Sequence, residues 1–119
     1  MTIFANSPGA IFTWDATTVT SGHCLLPGTR SNATGVSDED FAVFFCPRAG
    51  RARRLIAYSS GSMTVTVRKN KADTTITCAP NNTTATDLTH EVNFASGDTL
   101  SIKITGTAGA QALVALEFA

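Results

Sequence analysis

Charge is what this chain has least of. Nine Lys and Arg meet nine Asp and Glu in 119 residues, so charged side chains make up 15% and the formal net charge is zero. Binding nucleic acid over a broad surface requires an excess of cations, and none exists here. A disordered chain combines high net charge with few apolar residues, whereas 43% of this one is hydrophobic. A net charge of zero does little to keep copies apart in solution, which suits a protein that works inside an assembly. No apolar run approaches the ~20 residues of a membrane span. No basic segment leads into an apolar one at the start, so no secretory signal is expected and the chain is expected to be made in a reducing cytoplasm. The Asn-x-Ser/Thr triplets at Asn32, Asn81 and Asn82 then read as plain loop residues. Three cysteines, Cys24, Cys46 and Cys78, lack any C-x-x-C spacing. An odd count without that spacing is neither a disulfide framework nor a zinc site. They are expected to be reduced, buried small hydrophobes.

What the chain has instead is alternation. From Met63 to Thr107 it reads as four consecutive strands with three turns. Met63–Arg68 places Met63, Val65 and Val67 on one face. Thr74–Cys78 is β-branched, Leu88–Phe94 alternates again, and Thr99–Thr105 follows the tight Gly97-Asp98 turn. Period-two patterning bounded by Gly, Asn, Asp and Pro signals antiparallel strands with one wet face. At 119 residues the chain is one domain, large enough to bury one core.

The rest fits around that block. Residues 1–14 read as an N-terminal arm and first strand, with Ile3 and Phe4, an Asn6-Ser7-Pro8-Gly9 turn, then Ala10–Trp14. Residues 15–119 form the main body. His23–Leu26 is a short apolar run, and Thr29–Asp40 is a polar surface loop. Phe41–Cys46 and Ala112–Phe118 are apolar at both parities. Such strands are covered on both faces or lie at a subunit contact. Arg51–Ser60 begins basic and turns apolar. About eight strands suit an all-β, antiparallel double-sheet jelly-roll sandwich. An immunoglobulin-like sandwich is the alternative.

Signals for chemistry are weak. His90 shares its parity with Leu88, Val92 and Phe94, which places it on the apolar face as a hydrogen-bonded core or interface residue. Neither it nor His23 accompanies a G-x-S-x-G nucleophile turn. Asp38-Glu39-Asp40 lacks the spacing of a calcium loop and reads as a solvated acidic loop. Arg48, Arg51, Arg53 and Arg54 form the basic cluster, with Arg51 and Arg53 on one strand face and Arg54 on the other. Such charges bind an acidic partner or keep an edge from stray pairing. Trp14, Tyr58 and Phe118 offer a sugar-stacking set, although scattered aromatics are more often core. No cofactor, metal site or catalytic residue is expected.

A set of short motifs resembles a recurrent pattern. Cys46-Pro47-Arg48-Ala49-Gly50, Arg54-Leu55, Met63–Asn70, Asp73-Thr74, Gly97-Asp98, Ile102 and Leu116-Glu117-Phe118 are similar to small jelly-roll modules of tailed-bacteriophage virions. Those modules serve as head decoration (cement) proteins, head fibres and fibre knobs. The likeness spans roughly Phe41 to Phe118. It departs from the pattern at Lys71, where Gly usually follows Asn70, so a hairpin loop longer than two residues is expected.

The resemblance implies a non-enzymatic, tumour-necrosis-factor-like homotrimer in a virion. The expectation is a capsid decoration protein made in the host bacterial cytoplasm. It would bridge subunits of the major capsid protein, with neither nucleic acid nor membrane as partner. Expected trimer contacts are Phe41, Val43, Phe44 and Phe45, then His90, then Leu113, Leu116 and Phe118. Expected capsid contacts are Ile3, Phe4, Phe12, Trp14, Arg51 and Arg53. A fibre-tip knob binding a host receptor or glycan is the alternative, and a small hydrolase a distant third. The start at Met1 and the lack of coiled-coil or collagen-like sequence favour decoration over a knob.

Overall fold

The computed structural model describes residues 10–26 and 35–119. Among them are seven strands and a short 3-10 turn, Glu39–Phe41, and no α-helix. The strands are β1 (Ala10–Ala16), β2 (Phe44–Phe45), β3 (Gly50–Lys69), β4 (Ala72–Cys78), β5 (Asn81–Phe94), β6 (Thr99–Gly106) and β7 (Ala112–Phe118). β3 belongs to both sheets. Its first half pairs with β7 and β5, its second with β6 and β4. Sheet I therefore runs β1-β7-β3-β5, and sheet II runs β4-β3-β6-β2, with every pairing antiparallel. This is the expected jelly-roll sandwich. Trp14, Leu55, Val114 and Leu116 from sheet I face Val65, Val67, Ile76, Leu100, Ile102 and Ile104 from sheet II in one buried core. β1 is part of that sandwich and continues to Ala16, past the boundary expected after Trp14.

Three local readings change. Arg51–Ser60 and Met63–Arg68 are one 20-residue strand that bends as it passes between sheets. At the bend the buried Ser59 hydroxyl donates to the Gly61 carbonyl (2.6 Å) and accepts from the Gly61 amide (3.1 Å). β6 ends against this bend at Gly106, whose φ is +138°. A Cβ there would sit 2.3 Å from the Ser62 carbonyl oxygen, so only glycine fits. Second, Phe41–Cys46 is not one strand. The Asp38 carboxylate accepts from the Asp40 amide (3.0 Å) and starts the 3-10 turn, leaving only Phe44 and Phe45 to pair with β6. Third, His23–Leu26 supplies no full strand. It follows the outer edge of β6 through the Cys24–Lys103 bridge and the Leu25 amide to the Ile102 carbonyl (2.9 Å).

The acidic loop also departs from expectation. Glu39 is half-buried and ion-paired with Arg68 (2.9 Å), and it accepts from the Ser101 hydroxyl. Burial opposes its charge, but the Arg68 and Ser101 hydrogen bonds outweigh burial and lower its pKa. The three cysteines are buried and free. Burial pushes the Cys24 and Cys78 thiols up to about 11.

The β3–β4 hairpin is tighter than the Lys71 departure suggests. Lys69 pairs with Ala72, so the loop is two residues, with φ of 50° at Asn70 and 66° at Lys71. That is the double positive φ of a type I′ turn. Asn70 holds it: its side-chain amide donates to Asp98 (3.0 Å), its side-chain oxygen accepts from the Thr99 amide (2.9 Å), and its backbone amide donates to the Thr99 carbonyl (3.0 Å). The Asp98 carbonyl in turn accepts from the Cys46 amide (2.8 Å). The phage-like motifs at Cys46, Asn70 and Gly97-Asp98 thus form one hydrogen-bonded hub, so their chemistry specifies fold. Left-handed backbone costs a non-glycine residue ~1–2 kcal/mol, and glycine returns ~0.5–1 of that as unfolded-state entropy. The exposed Lys71–Asp40 pair is worth little. Lys71→Gly is therefore expected to stabilise the fold by about 0.5 kcal/mol, read as a higher urea midpoint at unchanged slope.

Candidate functional site

The register of sheet I sets its outer face in three rows. Ile11 lies opposite Glu117, and Glu117 opposite Arg53. Thr13, Ala115 and Ile56 form the next row, and Asp15, Leu113 and Tyr58 the third. Side chains on one face of paired strands interact directly, so each row is a continuous surface. It is apolar where a monomer's surface is normally polar. Ile11 is 58% exposed, Ile56 44%, Leu88 59% and Leu113 39%. Among the described residues, the other exposed large hydrophobic is Phe45. Small residues between the large ones leave two hollows. One, of about 260 Å³, is bounded by Thr13, Ile56, Tyr58 and Leu113. The other, of about 190 Å³, lies among Ile11, Arg54, Ile56 and Glu117. A ridged and hollowed apolar face can receive side chains from another chain.

Charges close one end of this face. Arg53 pairs with Glu117 at 2.7 Å, and Arg54 reaches the same carboxylate at 3.6 Å. Arg51 pairs with Glu91 at 3.0 Å. Alternation puts Arg54 on the face opposite Arg53, but both reach Glu117. The reason is a bulge: Arg54 has φ of +56°, and the pairing slips between Arg53 and Leu55. Leu88, Thr89 and His90 of β5 are the residues opposite that slip.

The same bulge moves His90. Its phase change leaves Asp87 inward, and the His90 side chain is 54% exposed rather than on the apolar face. The buried Asp87 carboxylate accepts from the His90 ring Nδ1 (2.8 Å) and from the backbone amides of Thr77 (3.1 Å), Thr89 (3.2 Å) and His90 (3.2 Å). Burial raises its pKa, but the His90 hydrogen bond and these amides outweigh burial and hold it at about 2. The carboxylate is spent tying β5 to β4, a structural use.

The expected contact residues divide. Ile3, Phe4 and the side chain of Phe41 lie outside the described residues. Leu113 is on the outer face. Leu116 is fully buried and Trp14 is 1% exposed, so the core takes their apolar surface and leaves none for a partner. Phe12, Phe44 and Phe118 are partly buried against the core, and Val43 is half-buried before β2. Phe45 points away from the body at 69% exposed. Arg51 is about half exposed and Arg53 more covered, both already ion-paired. Tyr58 faces outward while Trp14 faces inward, so the sugar-stacking trio does not assemble. Ile11, Ile56 and Leu88 were not singled out by the sequence. The adjacent apolar pair Leu55-Ile56, apolar at both parities, is the signal for the second of them.

No protein-family model matches the chain, and no curated protein does. Among solved structures, it is similar to the globular domain of zebrafish complement 1qA protein, with a TM-score of 0.52 at 10% sequence identity. The match covers 89% of this chain and 94% of that one. The likeness is one of fold.

Proposed function

We propose that the protein is a non-enzymatic, homotrimeric structural module, and that its role is decoration of a tailed-phage capsid. The outer face of sheet I carries the first half of this reading. Ile11, Ile56 and Leu113, with hollows between them, make a surface that water penalises and a second copy covers. A sheet face meeting a different surface of the next copy generates a ring when the rotation closes. The fold and the motif resemblance favour a rotational trimer. The second half rests on the motif resemblance and on the N-terminal segment. Ile3 and Phe4 are the proposed capsid contacts, since Phe12 and Trp14 are committed to the chain's own packing. The major capsid protein is the proposed partner, and the virion surface the proposed location.

Two measurements test this. Sedimentation at micromolar concentration is expected to give three times the 12.4 kDa chain mass. A stable monomer overturns the trimer. Cosedimentation with undecorated phage heads is expected for the full chain and should weaken at least tenfold when residues 1–9 are removed. Undiminished binding by the shortened chain removes the N-terminal segment from the contact, and no binding by the full chain overturns the capsid role.

A further inference from the structure

A third hollow lies at one end of the sandwich, apart from the two on the outer face of sheet I. The start of β1, the end of β7 and the turn joining β2 to β3 bound about 140 Å³. Phe12, Phe44 and Phe118 line it, and the Phe12 ring meets Phe44 at 4.7 Å and Phe118 at 6.1 Å. All three side chains are half-buried, so the protein leaves part of each ring uncovered. Arg48 is the one charged side chain in the lining, and it is exposed. Among the described residues, Arg51, Arg53, Arg54 and Arg68 each hold a carboxylate, whereas Arg48 holds none. The Ala119 carbonyl, from the same lining, accepts from the Arg51 amide (2.7 Å).

We infer that this hollow is a binding site for a small aromatic carboxylate, with the ring among Phe12, Phe44 and Phe118 and the carboxylate on Arg48. Size sets the first limit. An apolar cavity of roughly 150 Å³ accepts benzene, so the hollow takes one ring and not two. The walls favour a flat ring over an alkyl chain, because the edge of one aromatic ring is attracted to the face of the next. Phe12 is tilted by 54° to Phe44 and by 50° to Phe118, so faces and edges are both presented. Polarity sets the second limit. No carboxylate, amide or hydroxyl side chain lines the hollow, so a polar substituent on the buried part of the ring would lose its water and find no partner. The ligand is polar only where Arg48 stands. A planar guanidinium binds a carboxylate through two parallel N–H donors, and Arg48 gives up no ion pair of its own to do so. A cationic ligand meets like charge at the same place. The site belongs to the single chain, so it stands or falls apart from the trimer and the capsid role.

Trp14 is the chain's single tryptophan and stacks on Phe44 at 5.8 Å with planes 19° apart, so its emission reports on this wall. Benzoate, benzyl alcohol and benzylamine are titrated into the full chain at one ionic strength. The ring resonances of Phe12, Phe44 and Phe118 are followed alongside by nuclear magnetic resonance. Benzoate is expected to saturate both signals with a dissociation constant below about 1 mM. Benzyl alcohol keeps the ring and loses the charge, so it should bind about tenfold more weakly, and protonated benzylamine more weakly still. Arg48→Gln changes an exposed side chain without an ion pair, and circular dichroism should find its fold unaltered. It should weaken benzoate about tenfold and leave benzyl alcohol where it was. No saturable response to any of the three compounds up to about 10 mM overturns the site. Shifts that fall on Tyr58 while the three phenylalanine rings stay still overturn it too, because they put the ligand on the outer face of sheet I. Equal benzoate affinity in the parent and in Arg48→Gln overturns the assignment of the carboxylate.

Discussion

Ile56→Asp combined with Leu113→Asp is expected to turn the protein into a folded monomer. Both side chains stand on the outer face of sheet I, 44% and 39% exposed, so neither change touches the core. Aspartate in a strand costs the monomer at most about 1 kcal/mol. In the proposed trimer the same change buries two unpaired carboxylates per protomer. Each carries a desolvation penalty of several kcal/mol, and the contact has only the Arg51–Arg54 cluster at its far end to answer them. The penalties repeat around the proposed ring. Sedimentation should therefore find the single-chain mass at micromolar concentration, with a far-UV spectrum matching the parent. Phe45→Asp is the control, since Phe45 is on β2 of sheet II and 69% exposed. It should leave the trimer intact. A double variant that still sediments at three times the chain mass would remove the outer face of sheet I from the contact.

Much of the architecture is written in the alternation. β4, β6 and β7 fall where the β-branched and apolar periodicity puts them; β6 pairs with β3 without a slip, and the slip in the β7 ladder is the extra residue of β3 at Arg54. Where the reading departs, a local interaction has overruled the period. Phe41–Cys46 looked like a doubly covered strand. Its parities go to different tasks: the 3-10 turn capped by Asp38 takes its start, Phe44 packs its ring on those of Phe12 and Trp14, and Phe45 is left in solvent. Ala112–Phe118 looked the same and is a true central strand between β1 and β3. Its second apolar parity, Leu113 and Ala115, is the outer face described above. Period-two patterning alone cannot separate these cases, because both offer apolar residues at every position and only the partners differ.

The outer face was only half legible for a related reason. Leu113 could be picked out as surplus apolar surface, but Ile56 is hidden behind the Arg54 bulge. Without that extra residue Ile56 would share the inward parity of Ala52, and Leu55 would face out. The left-handed φ at Arg54 reverses the phase, burying Leu55 and exposing Ile56. No residue type announces it, since arginine has no preference for positive φ. The Lys71 turn is the same lesson in milder form. Lys71 argued for a longer loop, but the three hydrogen bonds of Asn70 to Asp98 and Thr99 carry Lys71 into a conformation its own side chain disfavours.

Asp87→Ala is expected to be the most damaging change outside the hydrophobic core. Asp87 is 7% exposed, and its carboxylate is the acceptor for three backbone amides and for the His90 ring. Those amides belong to the β5 bulge and to Thr77 of β4, so no ladder partner is waiting to replace it. A buried donor left unsatisfied costs about 1–3 kcal/mol, and three of them place the loss on the order of 3–5 kcal/mol. Against a typical total of ~5–15 kcal/mol, that is a drop in melting temperature of 10 °C or more. Asp87→Asn should cost less, because one oxygen still accepts while the new amide faces donors. His90→Ala should cost least, since the backbone amides keep their acceptor. Acid should act as the carboxylate variants do. The folded-state pKa, about 2, lies below the ordinary 3.8. The stability that Asp87 contributes is therefore complete above pH 4 and disappears as the pH falls from about 4 to about 2. Denaturant unfolding across that window should show a downward slope in the parent that flattens in Asp87→Asn. Equal slopes in the two proteins would mean that other carboxylates, with Glu39 beside Arg68 the first to examine, govern the acid limit.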